Sequence, residues 1–468
     1  MSSSTIPSDA LLMMTLAGLA AASGPAYQSV PDQEQTILSN LGTQLAQTSL
    51  ATGGNWSVIW VGLTGDLANL AYIAKNTAVA NTYAVVIRGT VFSLSKDVSE
   101  DTDVTSVAGF WSYIGQTAPK FGCADTKAVC IAQGALNAFT EVTGATFTDG
   151  TTLVQTLTAL AQKASPSALT IYVCGHSLGG ATTTTLALNL MLGTSWPTAP
   201  VFQVYTFAAP TAGMQAFATA VATNFPGSAA GTNSAWQVAN AFDLVPTLWV
   251  GASMSAAENW YPGGPEAQQT TCIESLLSAM TALPGIHTYV QPAVTAVPLN
   301  QNQSVMDPNH VANTDADFLA QVAFQHANNT YLTLLAEATG VSPVPWITPC
   351  PGAPGAVSAV AGGGMLCTAA PPTFDVTVYW TPPAPDPASV LGAPTAAPTG
   401  YVVMRSTSSG SGYTQLGTVA AGVTAFVDAG LPPQTTYYYV VQAFNGSGWS
   451  PVSAEITVTT GKPSLSLL

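Results

Sequence analysis

A serine stands between two glycines in the sequence GHSLG at residues 175–179. An apolar, β-branched run, residues 169–174, precedes this pattern, and a helical stretch, residues 181–192, follows it. G-x-S-x-G in that setting predicts a sharp turn from a strand into a helix. The serine backbone is strained at such a turn, and glycines two positions before and after it avoid clashes that a Cβ would cause. The pattern therefore makes Ser177 a candidate nucleophile, with the backbone N–H of Leu178 directed to where an oxyanion would form.

A serine hydroxyl is a weak nucleophile at neutral pH, so it needs a general base, and the base needs an acid that orients it. The chain has four histidines. His176 lies inside the turn, too close to Ser177 along the chain to act as its base, and we expect it to pack beside the nucleophile. Three candidates remain for the base, namely His287, His310 and His326.

The favoured acid is Asp243. It follows a strand-like run, residues 236–241, and precedes a turn that ends in proline. That position lies beyond the carboxyl end of a strand, where an open α/β sheet assembles its site. Asp307, Asp315 and Asp317 are the weaker alternatives. No H-E-x-x-H, C-x-x-C or phosphate-binding loop occurs in the chain, so we expect neither a metal nor a cofactor.

These motifs lie in the first of two regions whose sequence patterns predict different secondary structure. Up to about residue 340, apolar strand-like runs alternate with helical stretches, which predicts an α/β fold with a mostly parallel central sheet. Residues 341–356 are rich in proline and glycine and are typical of a semi-rigid linker. Residues 357–461 contain short alternating runs separated by Gly, Pro and Ser, which predicts a small all-β sandwich. We therefore predict a catalytic domain over residues 1–340, the linker, and a second domain.

The sequence resembles the class 3, or fungal-type, lipases of the α/β-hydrolase fold. The resemblance rests on GHSLG together with YAVVIRGT at residues 83–90, YTFAAPTAG at 205–213 and NAFDLVP at 240–246. It implies a Ser177–His326–Asp243 triad, because the base of the family stands shortly before a tyrosine, as in QHANNTY at residues 325–331. It also implies that Thr90 is the second oxyanion donor, beside Leu178.

The C-terminal region resembles a fibronectin type III domain of the immunoglobulin-like class. Trp380 stands where that fold buries its core tryptophan, and LPPQTTY at residues 431–437 is similar to its tyrosine corner. Such a domain acts as a spacer or contacts a polymer or surface.

Only 7% of the 468 residues are charged, against about 25% in an ordinary soluble protein. With 8 Lys and Arg against 23 Asp and Glu, the net charge is −15, which excludes nucleic acid as a partner and recruitment to anionic lipid by overall charge. A hydrophobic content of 47% excludes a disordered chain. We expect a secreted ester hydrolase that acts on lipid at an interface. A phospholipase, a polyester hydrolase and a non-catalytic surface-binding protein are the alternatives.

Three further expectations concern local features. Residues 10–23 predict a buried N-terminal helix rather than a membrane span or a signal peptide, because the stretch is short and no cation precedes it. Residues 91–123 combine an acidic and an apolar run and are the candidate lid, with a permanently packed segment as the alternative. The pairs Cys123/Cys130 and Cys350/Cys367 could each form a disulfide.

Overall fold

The computed structural model describes residues 6–22, 30–89, 103–104, 106–227, 231–250, 253, 260–261, 289–307, 315–362, 373–384 and 393–461. The chain divides into two compact units. The first comprises Met1–Ala21, Leu45–Ile347 and Ala388–Ala393. The second comprises Ala22–Gln44, Thr348–Pro387 and Pro394–Leu468, so it takes in a segment from near the amino terminus as well as the C-terminal region.

A seven-stranded sheet forms the centre of the first unit, in the order β1-β2-β3-β6-β7-β8-β9. Its strands are β1 (Trp56–Leu63), β2 (Leu70–Asn76), β3 (Thr82–Ile87), β6 (Thr170–His176), β7 (Val201–Phe207), β8 (Ser234–Asn240) and β9 (Thr295–Leu299). The first three strands are antiparallel, and β3, β6, β7, β8 and β9 are parallel to one another. The prediction of a mostly parallel sheet is confirmed. Strand β9 lies within the long connection between Asp243 and His326 and pairs with β8.

Helices accompany this sheet, and their bounds in the described residues are α1 (Ala10–Leu19), α3 (Gln133–Gly144), α4 (Leu153–Ala164), α5 (Leu178–Leu192), α6 (Gln215–Asn224), α7 (Asp315–His326) and α8 (Asn328–Thr339). The central strand β3 is buried at every position, as expected for a strand that is covered on both faces. Among the helices of the described ranges, none is both long and apolar enough to cross a lipid bilayer.

The N-terminal helix α1 is part of the core of the first unit, which confirms the prediction of a buried helix. Nine of its ten residues are buried. Two tyrosines of the central sheet bond to this segment: the hydroxyl of Tyr72 donates to the carbonyl of Leu16 at 2.6 Å, and that of Tyr172 donates to Asp9 at 2.8 Å. The first bond is buried and the second is partly buried, and both pair polar groups that folding removes from water.

The apolar part of the predicted lid also packs into this core. Strand β4 (Val107–Gly109) pairs with β5 (Cys130–Ala132), and a 3₁₀ turn, Trp111–Ile114, follows β4. Phe110 is fully buried and meets the rings of Phe139 and Phe217 edge-on, at 5.0 and 6.0 Å. The alternative of a permanently packed segment therefore holds for residues 106–114. Of the acidic run, residues 95–103, all positions before Asp103 lie outside the described residues.

One of the two predicted disulfides is present. Cys123 and Cys130 are joined, with their Cα atoms 5.9 Å apart. Cys350 carries a free thiol, and Cys367 lies outside the described residues. The Cys123–Cys130 bond closes a loop of the first unit immediately before β5.

The second unit contains a sandwich of two antiparallel sheets, which confirms the predicted all-β region. One sheet has the order β10-β11-β14, and the other has the order β13-β12-β15-β16, with β17 also paired to β15. The strands are β10 (Gly355–Ala361), β11 (Phe374–Thr381), β12 (Gly400–Ser406), β13 (Thr414–Ala420), β14 (Ala425–Leu431), β15 (Thr436–Asn445), β16 (Gly448–Val452) and β17 (Ile456–Thr459). Trp380 is buried in the sandwich core and meets Tyr401 edge-on at 5.3 Å.

A helix from near the amino terminus, α2 (Val30–Leu45), bonds to this sandwich through Asn40. The side-chain amide of Asn40 donates to the carbonyl of Trp449 at 2.9 Å and accepts from the N–H of Trp449 at 2.8 Å. Asn40 is buried. Its side-chain amide makes the two backbone hydrogen bonds that a neighbouring strand would otherwise make with Trp449 of β16. Gln44, one turn further on, donates to the sulfur of Cys350 at 3.4 Å. The second unit is therefore built from two distant parts of the sequence.

We predict that Asn40→Ala destabilises the second unit by about 1–3 kcal/mol, because both backbone groups of Trp449 lose a buried partner. Hydrogen exchange at the Trp449 amide, together with urea unfolding, measures the effect. Ser39→Ala is the matched control, since Ser39 is an exposed neighbour on the same helix. Unchanged protection of the Trp449 amide in Asn40→Ala would contradict the role of this contact.

Candidate active site

The turn that carries Ser177 joins β6 directly to α5. Ser177 has φ 60° and ψ −133°, a backbone conformation that residues other than glycine rarely adopt. Its N–H donates to the carbonyl of Phe207 on the adjacent strand β7 at 3.0 Å, and its own carbonyl accepts from the N–H of Gly180 at 2.8 Å. These two bonds hold the strained residue in place at the carboxyl end of the parallel strands.

The glycines on either side of Ser177 are required by close backbone approach. A Cβ on Gly175 would overlap the backbone of Gly179 across the turn. A Cβ on Gly179 would lie 2.7 Å from the carbonyl oxygen of Arg88, which follows β3. The steric requirement predicted from the pattern is thus present at both positions.

The residues proposed for an oxyanion hole lie next to this turn. Leu178 is the first residue of α5, where a backbone N–H has no acceptor within its own helix and where the helix dipole is positive. Thr90 lies outside the described residues. Gly89, which precedes it, passes beside the turn, since a Cβ at that position would lie 2.6 Å from the carbonyl oxygen of His176 and 3.1 Å from the Cβ of Ser177.

The structure brings Asp243 and His326 together although 83 positions separate them. Asp243 lies in the turn after β8, and His326 is the last residue of α7. Nδ1 of His326 is 2.9 Å from Oδ2 of Asp243. The carboxylate is completely buried, whereas the imidazole is 12% exposed. The alternative bases, His287 and His310, lie outside the described residues.

Two further donors satisfy the buried carboxylate of Asp243. The hydroxyl of Tyr331 on α8 donates to Oδ2 at 2.8 Å, and the N–H of Val245 donates to Oδ1 at 3.0 Å. Burial, reinforced by the charge of Asp243, raises the pKa of Tyr331 well above its usual value, so the hydroxyl keeps the proton that it donates. Tyr331 is the last residue of the motif QHANNTY, but the motif does not predict its hydrogen bond to Asp243.

A buried amide network joins the ends of β8 and α7, the elements that carry Asp243 and His326. The side chain of Asn240 donates to the carbonyl of Gln325 at 2.9 Å and to its side-chain oxygen at 2.6 Å. The amide of Gln325 in turn donates to the carbonyl of Val305 at 3.1 Å. Because these groups are buried, each bond is worth more than it would be in water, and the network fixes one element against the other.

His176 contacts two of the residues that bond to Asp243, His326 and Tyr331. Its ring lies against that of His326, with centroids 4.5 Å apart and planes tilted by 46°, and it meets Tyr331 edge-on at 5.6 Å. Nε2 of His176 is buried without a hydrogen-bond partner. Burial holds the pKa of His176 well below its usual value of 6.5, and a positive charge on His326 lowers it further. The imidazole of His176 is therefore neutral.

Arg88 is buried beside the turn. Its guanidinium donates to the carbonyls of Leu67 and Ala68 at 2.6 and 2.7 Å. These bonds fix the loop before β2 to the end of β3.

Comparison with solved structures identifies the fold of the first unit. The crystal structure of M37 lipase is 20% identical, with a TM-score of 0.53, and the match covers 71% of this chain and 92% of that chain. Nonglycosylated Lip2 lipase of Yarrowia lipolytica is 18% identical, with a TM-score of 0.35, over 50% of this chain and 72% of that one. The fold is that of an α/β-hydrolase, as the sequence predicts.

A family profile described as lipase (class 3) matches residues 84–251. That segment, which contains Ser177 and Asp243, is therefore similar to the class 3 lipases. The FN5 domain of Drosophila Lar is similar to the C-terminal region, at 23% identity over 24% of this chain and 98% of that chain, with a TM-score of 0.17. No curated protein matches the chain.

We predict that His176 makes the stability of the protein fall as the pH drops from about 7 to 5. The unfolded chain protonates this side chain near pH 6.5, whereas the folded chain does not, so the unfolded state binds more protons below that pH. The resulting slope approaches about 1.4 kcal/mol per pH unit. His176→Phe, which cannot take up a proton, should lose this part of the slope in urea unfolding between pH 7.5 and 5. Equal slopes in the two proteins would contradict a buried neutral histidine.

Proposed function

We propose that this protein hydrolyses carboxylic esters through Ser177, His326 and Asp243, and that its substrates are acylglycerols. The observation that carries the proposal is the 2.9 Å contact between a buried carboxylate and the His326 imidazole, beside a serine held at a strained turn. His326 lies against His176, the residue that precedes Ser177. Nucleophile, acid and base occur along the chain as Ser177, Asp243 and His326, which is the order typical of α/β-hydrolases.

The contact to Asp243 determines how His326 would work. Asp243 can only accept a hydrogen bond when ionised, so it favours the tautomer of His326 with the proton on Nδ1. Nε2 then carries the free lone pair and can take the proton of the Ser177 hydroxyl as its oxygen attacks the ester carbonyl. The buried carboxylate stabilises the imidazolium that forms, as in other serine hydrolases.

The tetrahedral intermediate needs donors for its oxyanion. The N–H of Leu178 supports this role because it is the first amide of α5 and has no acceptor within the helix. Thr90 is proposed as the second donor by its place in the motif YAVVIRGT. Removing one such donor raises the barrier by about 3 kcal/mol in serine hydrolases.

Collapse of the intermediate completes the first half-reaction. The imidazolium of His326 gives its proton to the alcohol oxygen, the ester C–O bond breaks, and the acyl group stays on the oxygen of Ser177. Water then attacks the acyl-enzyme with His326 again as base, which releases the carboxylic acid and restores the Ser177 hydroxyl. Every proton in this cycle moves through one imidazole nitrogen.

The composition favours substrates at an interface. Only 7% of the residues of the chain are charged. Moving a charged group from water into lipid costs much free energy, so a surface with few charges is desolvated against lipid at a lower cost. The Cys123–Cys130 disulfide supports a secreted protein, since such bonds persist in oxidising compartments. A phospholipase or polyester hydrolase would use the same triad, and the C-terminal sandwich is proposed as a spacer or as the contact to a polymer or surface.

We predict that the wild-type protein hydrolyses p-nitrophenyl esters and that Ser177→Ala abolishes turnover to within background. Asp243→Asn should lower kcat on the order of 10⁴-fold, as the same change does in serine proteases, because it disfavours the required tautomer. Asp149→Asn, which changes a carboxylate in an exposed turn, is the control and should leave turnover unchanged. Nitrophenol release is measured with esters from C2 to C16.

Three outcomes separate the alternatives. If the wild type releases no nitrophenol above background, the enzymatic reading is wrong and a surface-binding protein remains. If Ser177→Ala is as active as the wild type, Ser177 is not the nucleophile. Acyl release from phosphatidylcholine that is faster than that from triacylglycerol emulsions would favour the phospholipase.

A further inference from the structure

The bond between His326 and Asp243 fixes one atom of the imidazole but not the plane of its ring. A single hydrogen bond at Nδ1 sets a distance and a direction, and the ring can still turn about that contact. Nε2 must nevertheless point at the Ser177 hydroxyl for proton transfer. A misplacement of about 1 Å at such a position lowers the rate by about 100-fold. A second contact is therefore required to hold the ring plane.

His176 makes such a contact. Its ring centroid lies 4.5 Å from that of His326, and its edge-on packing against Tyr331, at 5.6 Å and 85°, prevents it from swinging away. Tyr331 is itself fixed, because its hydroxyl donates to Asp243 and accepts from the N–H of Asn240. The three rings form a contiguous cluster, and its two outer members, His326 and Tyr331, both bond to the buried carboxylate.

The backbone of His176 is fixed as well. It is the last residue of β6, in register with Phe207 of β7, and the N–H of the following residue, Ser177, also bonds to Phe207. The side chain of His176 is thus tied to the same backbone turn as the nucleophile. Any shift of the turn that displaces Ser177 displaces the ring that supports its base.

On the proposed function, we propose that His176 is a positioning residue that holds the ring plane of His326 towards Ser177 by packing, without itself exchanging a proton. The groups that face His176 are His326 from α7 and Tyr331 from α8, with Asp243 behind both of them. A flat neutral ring is all that this role demands. A hydrogen bond between the His176 side chain and the backbone of His326 adds to this contact. We assign the orienting effect to the ring, so that removing the ring should cost far more than replacing its nitrogen atoms.

Two variants of His176 should differ in kcat. His176→Phe keeps a flat ring and should retain kcat within about threefold. His176→Ala removes the ring and should lower kcat 10- to 100-fold while KM changes less than twofold, because substrate binding does not involve this side chain. Cys174→Ala is the matched control: it truncates another buried side chain on β6, without a ring against His326, and should leave both constants unchanged.

The experiment measures kcat and KM for a soluble p-nitrophenyl ester with the full-length wild type, His176→Phe, His176→Ala and Cys174→Ala. An inactive wild type would contradict the proposed function itself. With an active wild type, positioning by His176 is overturned if His176→Ala keeps the wild-type kcat, if its loss lies in KM alone, or if His176→Phe is as slow as His176→Ala. Should His176→Ala fail to fold, the near-normal kcat of His176→Phe remains the test.

Discussion

The carboxylate of Asp243 is the group around which the site is organised. It is completely buried, and a buried charge is tolerated only when hydrogen-bond donors surround it. Those donors come from three places: His326 at the end of α7, Tyr331 on α8 and the backbone of Val245 in its own turn. The hydrogen bonds from His326 and Tyr331 hold the C-terminal helices of the first unit, α7 and α8, against the end of β8. They also hold the proposed base at the carboxyl edge of the sheet.

The second constraint is steric and acts on the proposed nucleophile. The strained backbone of Ser177 persists because the end of β6, the start of α5 and the end of β3 approach so closely that only glycine fits at positions 175 and 179. Strain of this kind must be balanced by the surrounding structure. The buried sheet supplies that balance, and the ring contact between His176 and His326 connects the turn to Asp243 and its hydrogen-bond partners.

Much of this arrangement could be predicted from the sequence where the chemistry is local. The turn around Ser177 depends on neighbouring residues, so its pattern predicts it directly. The identity of the base depends on a contact over 83 positions, and only the family resemblance separated His326 from His287 and His310. The bond from Tyr331 and the amide network of Asn240 and Gln325 carry no sequence signal, since buried polar side chains show their partners only in three dimensions.

Two other features, the contact of α2 with the sandwich and the packing of the predicted lid, also depend on contacts between distant parts of the chain and could not be predicted from the sequence. The helix α2 bonds to the sandwich through one asparagine, 409 positions from its partner Trp449, and nothing local marks that residue. The apolar run after residue 106 has the composition of a lid, but burial of Phe110 against Phe139 and Phe217 makes it part of the core. Composition predicts that such a segment is amphipathic, whereas packing decides what covers it.

On the proposed function, the buried Asp243 carboxylate activates Ser177 through His326. Covalent labelling with a fluorophosphonate probe tests it most directly, because the probe reacts only with an activated serine and needs no natural substrate. We expect one adduct per chain, mapped by mass spectrometry to the peptide that carries Ser177, and a much slower reaction in Asp243→Asn. An adduct on another residue, no adduct, or an equal rate in Asp243→Asn would contradict the account.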